Sequence, residues 1–146
     1  MFRFKTLLKE NNLKVIIMVF TDGPVAPGEG IVFGGPYPGF TRPSNPGESD
    51  KELLVETHLK VFQEQVVAAQ EFQPVLVNCH ALKDYFTPEM AQQFFTAALA
   101  WQQENGYKVL HETHRKRFLH SPWVARSFVP NFPQMKVQHN IIEKKK

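Results

Sequence analysis

The stretch Pro74-Val75-Leu76-Val77-Asn78-Cys79-His80 decides the fold. It is apolar and β-branched at first and turns polar only at its C-terminal end, as a strand of a parallel sheet does. Two other stretches share this form. Val15-Ile16-Ile17-Met18-Val19-Phe20 is continuously apolar, which predicts a strand buried on both faces, and runs into Thr21-Asp22. Lys108-Val109-Leu110-His111-Glu112-Thr113 is the third, with Glu112 and His114 at its end. Helical patterns lie between them. Ser49-Asp50-Lys51-Glu52 reads as a capping box, with Ser49 as N-cap, opening a helix to about Gln70 whose stripe is Leu54, Val61, Phe62, Val66 and Ala69. Thr87 caps a second helix, with Pro88 at its first position and Gly106 as its stop. Its apolar face is Met90, Ala91, Phe94, Phe95, Ala98 and Trp101. Ser121-Pro122 opens a third helix to about Val129, and residues 135–137 begin a fourth strand. Residues 4–10 read as a short helix ending in an Asn11-Asn12 turn.

Strands alternating with helical crossovers specify an α/β fold with a parallel sheet and right-handed connections. Each strand turns polar at its C-terminal end: Thr21 and Asp22, Asn78 and His80, Glu112 and His114. In parallel α/β folds that edge is where ligands bind. The glycine- and proline-rich residues 21–46 form neither a helix nor a central strand. Phe33, Tyr37 and Phe40 predict that this loop packs onto the domain, and Asp22 and Glu29 are candidates to line the site.

Composition narrows the function classes. The chain has 146 residues, enough for one domain with a hydrophobic core. Its net charge of +3 owes much to Lys144, Lys145 and Lys146, so the basic face of a nucleic-acid protein is not expected. A single cysteine, Cys79, excludes an intramolecular disulfide and favours a reducing, cytoplasmic setting. No apolar run approaches the roughly 18 residues of a membrane span, so no membrane partner is expected.

Alternate strand residues share a face. Asn78 and His80 therefore face one way and Cys79 the other, while Glu112 and His114 oppose His111 and Thr113. Facing His80, Glu112 would form a carboxylate–imidazole pair suited to proton transfer or to a borderline metal. The alternative for Glu112 is a solvated strand end or an ion pair with Arg115. Cys79 and His80 point to opposite faces and make no nucleophile–base pair. The histidines of His111-Glu112-Thr113-His114 are three apart and follow a strand, unlike the zincin helix, whose histidines are four apart. Arg115 and Arg117 either hold a phosphate or hydroxyls by a bidentate fork or form a solvated basic turn. Trp123 is expected in the core rather than as a platform for substrate.

Three stretches together resemble a known family: Phe20-Thr21-Asp22-Gly23-Pro24; Val77-Asn78-Cys79-His80 with Asp84-Tyr85-Phe86-Thr87; and His111-Glu112-Thr113-His114-Arg115-Lys116-Arg117 with Ser121-Pro122-Trp123. They look like the xylose isomerase-like barrels, the sugar and sugar-phosphate isomerases and epimerases, with endonuclease IV as a distant relative. The resemblance spans residues 4–137. It implies a partial (β/α)8 TIM barrel of three to four consecutive parallel βα units over residues 1–137, followed by a divergent basic tail at 138–146. It also implies a sugar or sugar-phosphate partner and a divalent metal (Mn, Zn, Mg or Co) with Glu112 as ligand and proton-transfer group. His80 joins Glu112 as a candidate catalytic residue, and Asn78, His114, Arg115 and Arg117 are candidates for substrate binding. The family's further ligands, an Asp, a His and a second Glu on later strands, have no match in Lys136-Val137-Gln138-His139-Asn140-Ile141-Ile142-Glu143. Two expectations therefore stand side by side: a fragment of an isomerase- or epimerase-like enzyme, or a non-catalytic half-barrel that self-associates through open sheet edges or binds a small molecule or metal.

Overall fold

The computed structural model describes residues 2–22 and 48–139. The loop aromatics Phe33, Tyr37 and Phe40, together with Glu29, lie outside the described residues. The element order is α1 (Phe2–Glu10), β1 (Ile16–Phe20), α2 (Glu48–Ala69), β2 (Leu76–His80), α3 (Pro88–Asn105), β3 (Val109–Thr113), α4 (Pro122–Phe128) and β4 (Val137–His139). The four strands form one sheet in the order β1-β2-β3-β4, and every neighbouring pair is parallel. Sequential order in a parallel sheet follows when each helix returns the chain to the adjacent strand.

Local chemistry sets the helix ends. Thr87 accepts a hydrogen bond from the Met90 amide, Pro88 opens α3, and Gly106 closes it in the left-handed region at φ 69°. Ser121 caps α4 through the Val124 amide at 3.2 Å. Helix α2 already includes Glu48, so Ser49 lies in its first turn rather than at its cap. The last strand runs to His139, so the sheet takes in Gln138 and His139 from the stretch read as tail.

The core lies on one side of the sheet. Val19, Val77, Cys79 and Val109 meet Phe62 and Val66 of α2 and Phe94, Phe95 and Ala98 of α3. Phe95 is its hub, with ring centroids 5.1 Å from His111, 5.6 Å from Phe128 and 6.1 Å from Phe132. The opposite face of β1 is open: Ile16 is 55% and Met18 50% exposed. This corrects the expectation of a strand buried on both faces. Among the described residues β1 is an edge strand with helices on one side only, so its uninterrupted apolar run overstates its burial. Trp123 is likewise not in the core, being 77% exposed on the outer face of the short α4. Among the described residues no helix is long and apolar enough to cross a membrane.

Truncating Phe95 to Ala should cost about 3–5 kcal/mol, the range for a buried aromatic. Val67→Ala on the exposed side of α2 should change stability by less than about 0.5 kcal/mol. Urea unfolding of the two variants checks this, and equal midpoints would contradict the one-sided core.

Candidate functional site

Strand register assembles the site. Phe20 pairs in register with His80. Cys79 pairs with His111, which brings His80 abreast of Glu112, and Glu112 is in register with Gln138. Because side chains alternate, Phe20, His80, Glu112 and Gln138 form one row across the open face, with Met18, Asn78 and Leu110 in the row beneath. Val19, Cys79, His111 and Val137 form the matching row on the helix side.

Sequence reasoning placed His80 and Glu112 side by side, and the structure brings them together. Nε2 of His80 lies 3.0 Å from Oε2 of Glu112, and both side chains are buried. The two groups are in contact at that distance, although Nε2 of His80 makes no hydrogen bond of full geometry among the described residues. Asn78 Nδ2 donates to the same carboxylate oxygen, so among the described residues this carboxylate pairs with Asn78 and His80 rather than with Arg115. Burial lowers the pKa of His80, against the opposing pull of the Glu112 charge. The imidazole is thereby biased to the neutral form, beside a carboxylate. Nδ1 of His80 and Oδ1 of Asn78 are buried without a hydrogen-bond partner among the described residues. Phe20 and His114 flank the imidazole, with ring centroids 4.7 and 4.9 Å away.

The remaining candidates divide. His114 is half-buried, and its Nδ1 donates to the Arg115 carbonyl at 2.8 Å. Arg115 is exposed. Arg117 lies at the edge of the site: its guanidinium is buried, 2.8 Å from Asp22 and 3.3 Å from the Leu82 carbonyl, to which it donates, and 5.5 Å from the centre of the Phe20 ring. Arg117 is thus not part of a solvated turn. Lys83 also pairs with Asp22. Burial would raise the Asp22 pKa, but the charges and hydrogen bonds of Arg117 and Lys83 outweigh it and hold the carboxyl below its usual value. Cys79 is fully buried on the helix side, where desolvation pushes its thiol far upward, so it is no nucleophile.

Three supporting residues escaped sequence reasoning. His58 of α2 is fully buried, and its Nδ1 accepts from the Thr21 hydroxyl at 2.8 Å. The Thr21 oxygen in turn accepts from the Leu82 amide at 2.7 Å. This relay ties the end of β1 to α2 and to the turn after β2. Gln65 grips the outer backbone of Phe20, donating to its carbonyl at 2.9 Å and accepting from its amide at 3.0 Å. Gln102 donates to His111 Nε2 at 3.2 Å, which leaves the His111 proton on Nδ1. The signal was helical spacing: His58 sits four residues from Leu54 and from Phe62, on the buried stripe of α2.

As to a metal, the pair offers one carboxylate and one imidazole in contact. Among the described residues no group of three or more His, Cys, Asp or Glu side chains could hold an ion. The described donors therefore fall short of the family's ligand set and do not fit a metal centre by themselves.

Burial holds the pKa of His58 down at about 4, and likewise that of His111. Both are neutral in the fold, whereas a free histidine titrates near 6.5. The unfolded chain therefore binds more protons between those values, and stability must fall as pH drops from about 6.5 to 4. Urea unfolding across that window should show the loss, and replacing His111 with Gln should reduce the slope. A flat profile would contradict the burial of these rings. No protein-family model, no curated protein and no solved structure matches the chain.

Proposed function

We propose that the chain is part of a sugar isomerase- or epimerase-like barrel, and that the row Phe20, His80, Glu112 faces a sugar or sugar-phosphate ligand. The observation that carries this reading is the buried Glu112–His80 pair at the C-terminal edge of a parallel sheet, the edge where such folds bind ligands. Sequential strands with helices over one face are what a segment of a (β/α)8 barrel has.

Isomerising an aldose or ketose requires removing a proton from the carbon beside a carbonyl. The Glu112 carboxylate takes that proton; the C–H electron pair moves to the carbon–carbon bond and the carbonyl π pair to oxygen, giving an enediolate. Passing the hydroxyl proton of the deprotonated carbon to the former carbonyl oxygen, and returning the abstracted proton to the former carbonyl carbon, completes the isomerisation; epimerisation instead needs a second acid, across the ligand from Glu112, to return a proton to the opposite face of the first carbon. Asn78 holds the carboxylate in place, and the neutral His80 keeps a polar nitrogen beside it without neutralising it. Phe20 and His114 offer flanking rings for the ligand. The described donors do not fit a metal centre, so the proton transfer is assigned to the side chains alone.

A second reading, a non-catalytic half-barrel that associates through its sheet, is favoured by the exposed Ile16 and Met18 on the edge strand. Gln65 opposes it by occupying the outer amide and carbonyl of Phe20.

Exchange of the sugar α-proton in D2O, followed by NMR, tests the first reading. Glu112→Gln should lower exchange at least about a hundredfold, as expected for loss of a positioned base, and His80→Asn should lower it less. No exchange by the wild-type chain, with a concentration-dependent rise in sedimentation coefficient abolished by Ile16→Lys, would replace it with the second.

A further inference from the structure

Beside the Glu112–His80 pair, the C-terminal end of β3 and helix α4 enclose a groove of about 740 Å³. Its charged and titratable lining is basic: His114, Arg115, His120 and Arg126, over a floor that includes Leu119 and Val129. No carboxylate is among the described lining residues. Arg115, His120 and Arg126 are exposed, as residues able to meet a ligand must be. Neither arginine has an ion pair among the described residues, whereas Arg117, two residues after Arg115, is bound to Asp22. The two histidines are oriented by the backbone. His114 Nδ1 donates to the Arg115 carbonyl at 2.8 Å and His120 Nδ1 to the Arg117 carbonyl at 3.0 Å. Each ring is therefore left with its Nε2 for a further partner.

We propose that this groove binds the phosphate of a phosphorylated, hydroxylated small molecule whose other end reaches Glu112 and His80. This deepens the function proposed above and rests on it for the placement of the reacting end. His114 makes the two regions continuous, because it lines the groove and lies against the His80 ring. Two permanent guanidinium charges without a local carboxylate suit a dianion better than a monoanion, and a phosphate monoester carries a charge of about −1.5 to −2 near neutral pH. Guanidinium forks also match phosphate oxygens in pairs. The apolar floor strengthens these interactions by excluding water from one side.

Isothermal titration of the full chain with ribose 5-phosphate, ribose and inorganic phosphate tests the proposal. Ribose 5-phosphate should bind saturably, one to one, and ribose at least about tenfold more weakly. Arg115→Ala and Arg126→Ala should each weaken ribose 5-phosphate and inorganic phosphate about tenfold or more, as expected for a lost charged hydrogen bond. Both arginines are exposed, so these variants should keep the wild-type fold, checked by circular dichroism. Glu112→Gln should leave inorganic phosphate unaffected and weaken ribose 5-phosphate. If the arginine variants weaken both phosphates and Glu112→Gln changes neither, the groove stands and its link to the reacting pair falls. Equal affinity for ribose and ribose 5-phosphate, heats that do not saturate, or phosphate binding untouched by both arginine changes would overturn the groove itself.

Discussion

The parallel register between β2 and β3 is the constraint on which the other features depend. Helices cover one face of the sheet and leave the other for polar groups, so each residue's fate follows from its parity along the strand. In the observed register His111 enters the aromatic core beside Phe95, and Glu112 turns outward toward His80. A slip of one residue would send the Glu112 carboxylate into the phenylalanine cluster and expose His111. The desolvation cost of a buried, unpaired carboxylate excludes that arrangement. The core thus selects the site, because packing on the helix side dictates what remains on the open side.

The two faces treat histidine differently. On the helix side, His58 and His111 are buried, neutral and bonded through one ring nitrogen each to Thr21 and Gln102, with His111 Nδ1 left without a hydrogen-bond partner among the described residues. On the open side, His80 is buried beside a carboxylate with its Nδ1 unpartnered among the described residues, and His114 and His120 are held by backbone carbonyls at the rim. Groups enclosed among core side chains, as His111 is by Phe62 and Phe95, are shut off from a ligand, whereas those at the strand ends can gain a partner by binding one. Arg117 and Asp22 follow the first pattern, Arg115 and Arg126 the second. This division, drawn from hydrogen bonding and exposure, separates the scaffold of the edge from its reactive part. Gln65 extends the scaffold to the free side of β1, where its amide takes the place of a neighbouring strand at Phe20.

Much of this was legible in the sequence because periodicity and capping chemistry are local. Thr87, Pro88 and Gly106 bound α3 as their chemistry requires, and the polar ends of the strands gather at one edge. Strand parity placed Glu112 toward His80 and Cys79 away from it. What local patterns could not carry is tertiary. An apolar run such as Ile16 to Phe20 does not reveal how many layers will cover it, so Ile16 and Met18 were expected inside and lie outside. Trp123 has the size of a core residue, but the single turn or two of α4 has no layer above it. Arg115 and Arg117 look alike in the chain, and only the fold turns one to solvent and the other onto Asp22. His58 and Gln65 are polar residues on an otherwise apolar helix, and their partners are far away in sequence.

The register can be measured directly in solution by scalar couplings across backbone hydrogen bonds, detected by NMR on labelled protein. The account predicts coupling from the Val77 amide to the Lys108 carbonyl and from the His111 amide to the Lys136 carbonyl, the bonds of 2.8 Å that fix β2 against β3 and β3 against β4. A coupling displaced by one residue between β2 and β3 would turn Glu112 away from His80 and contradict the site.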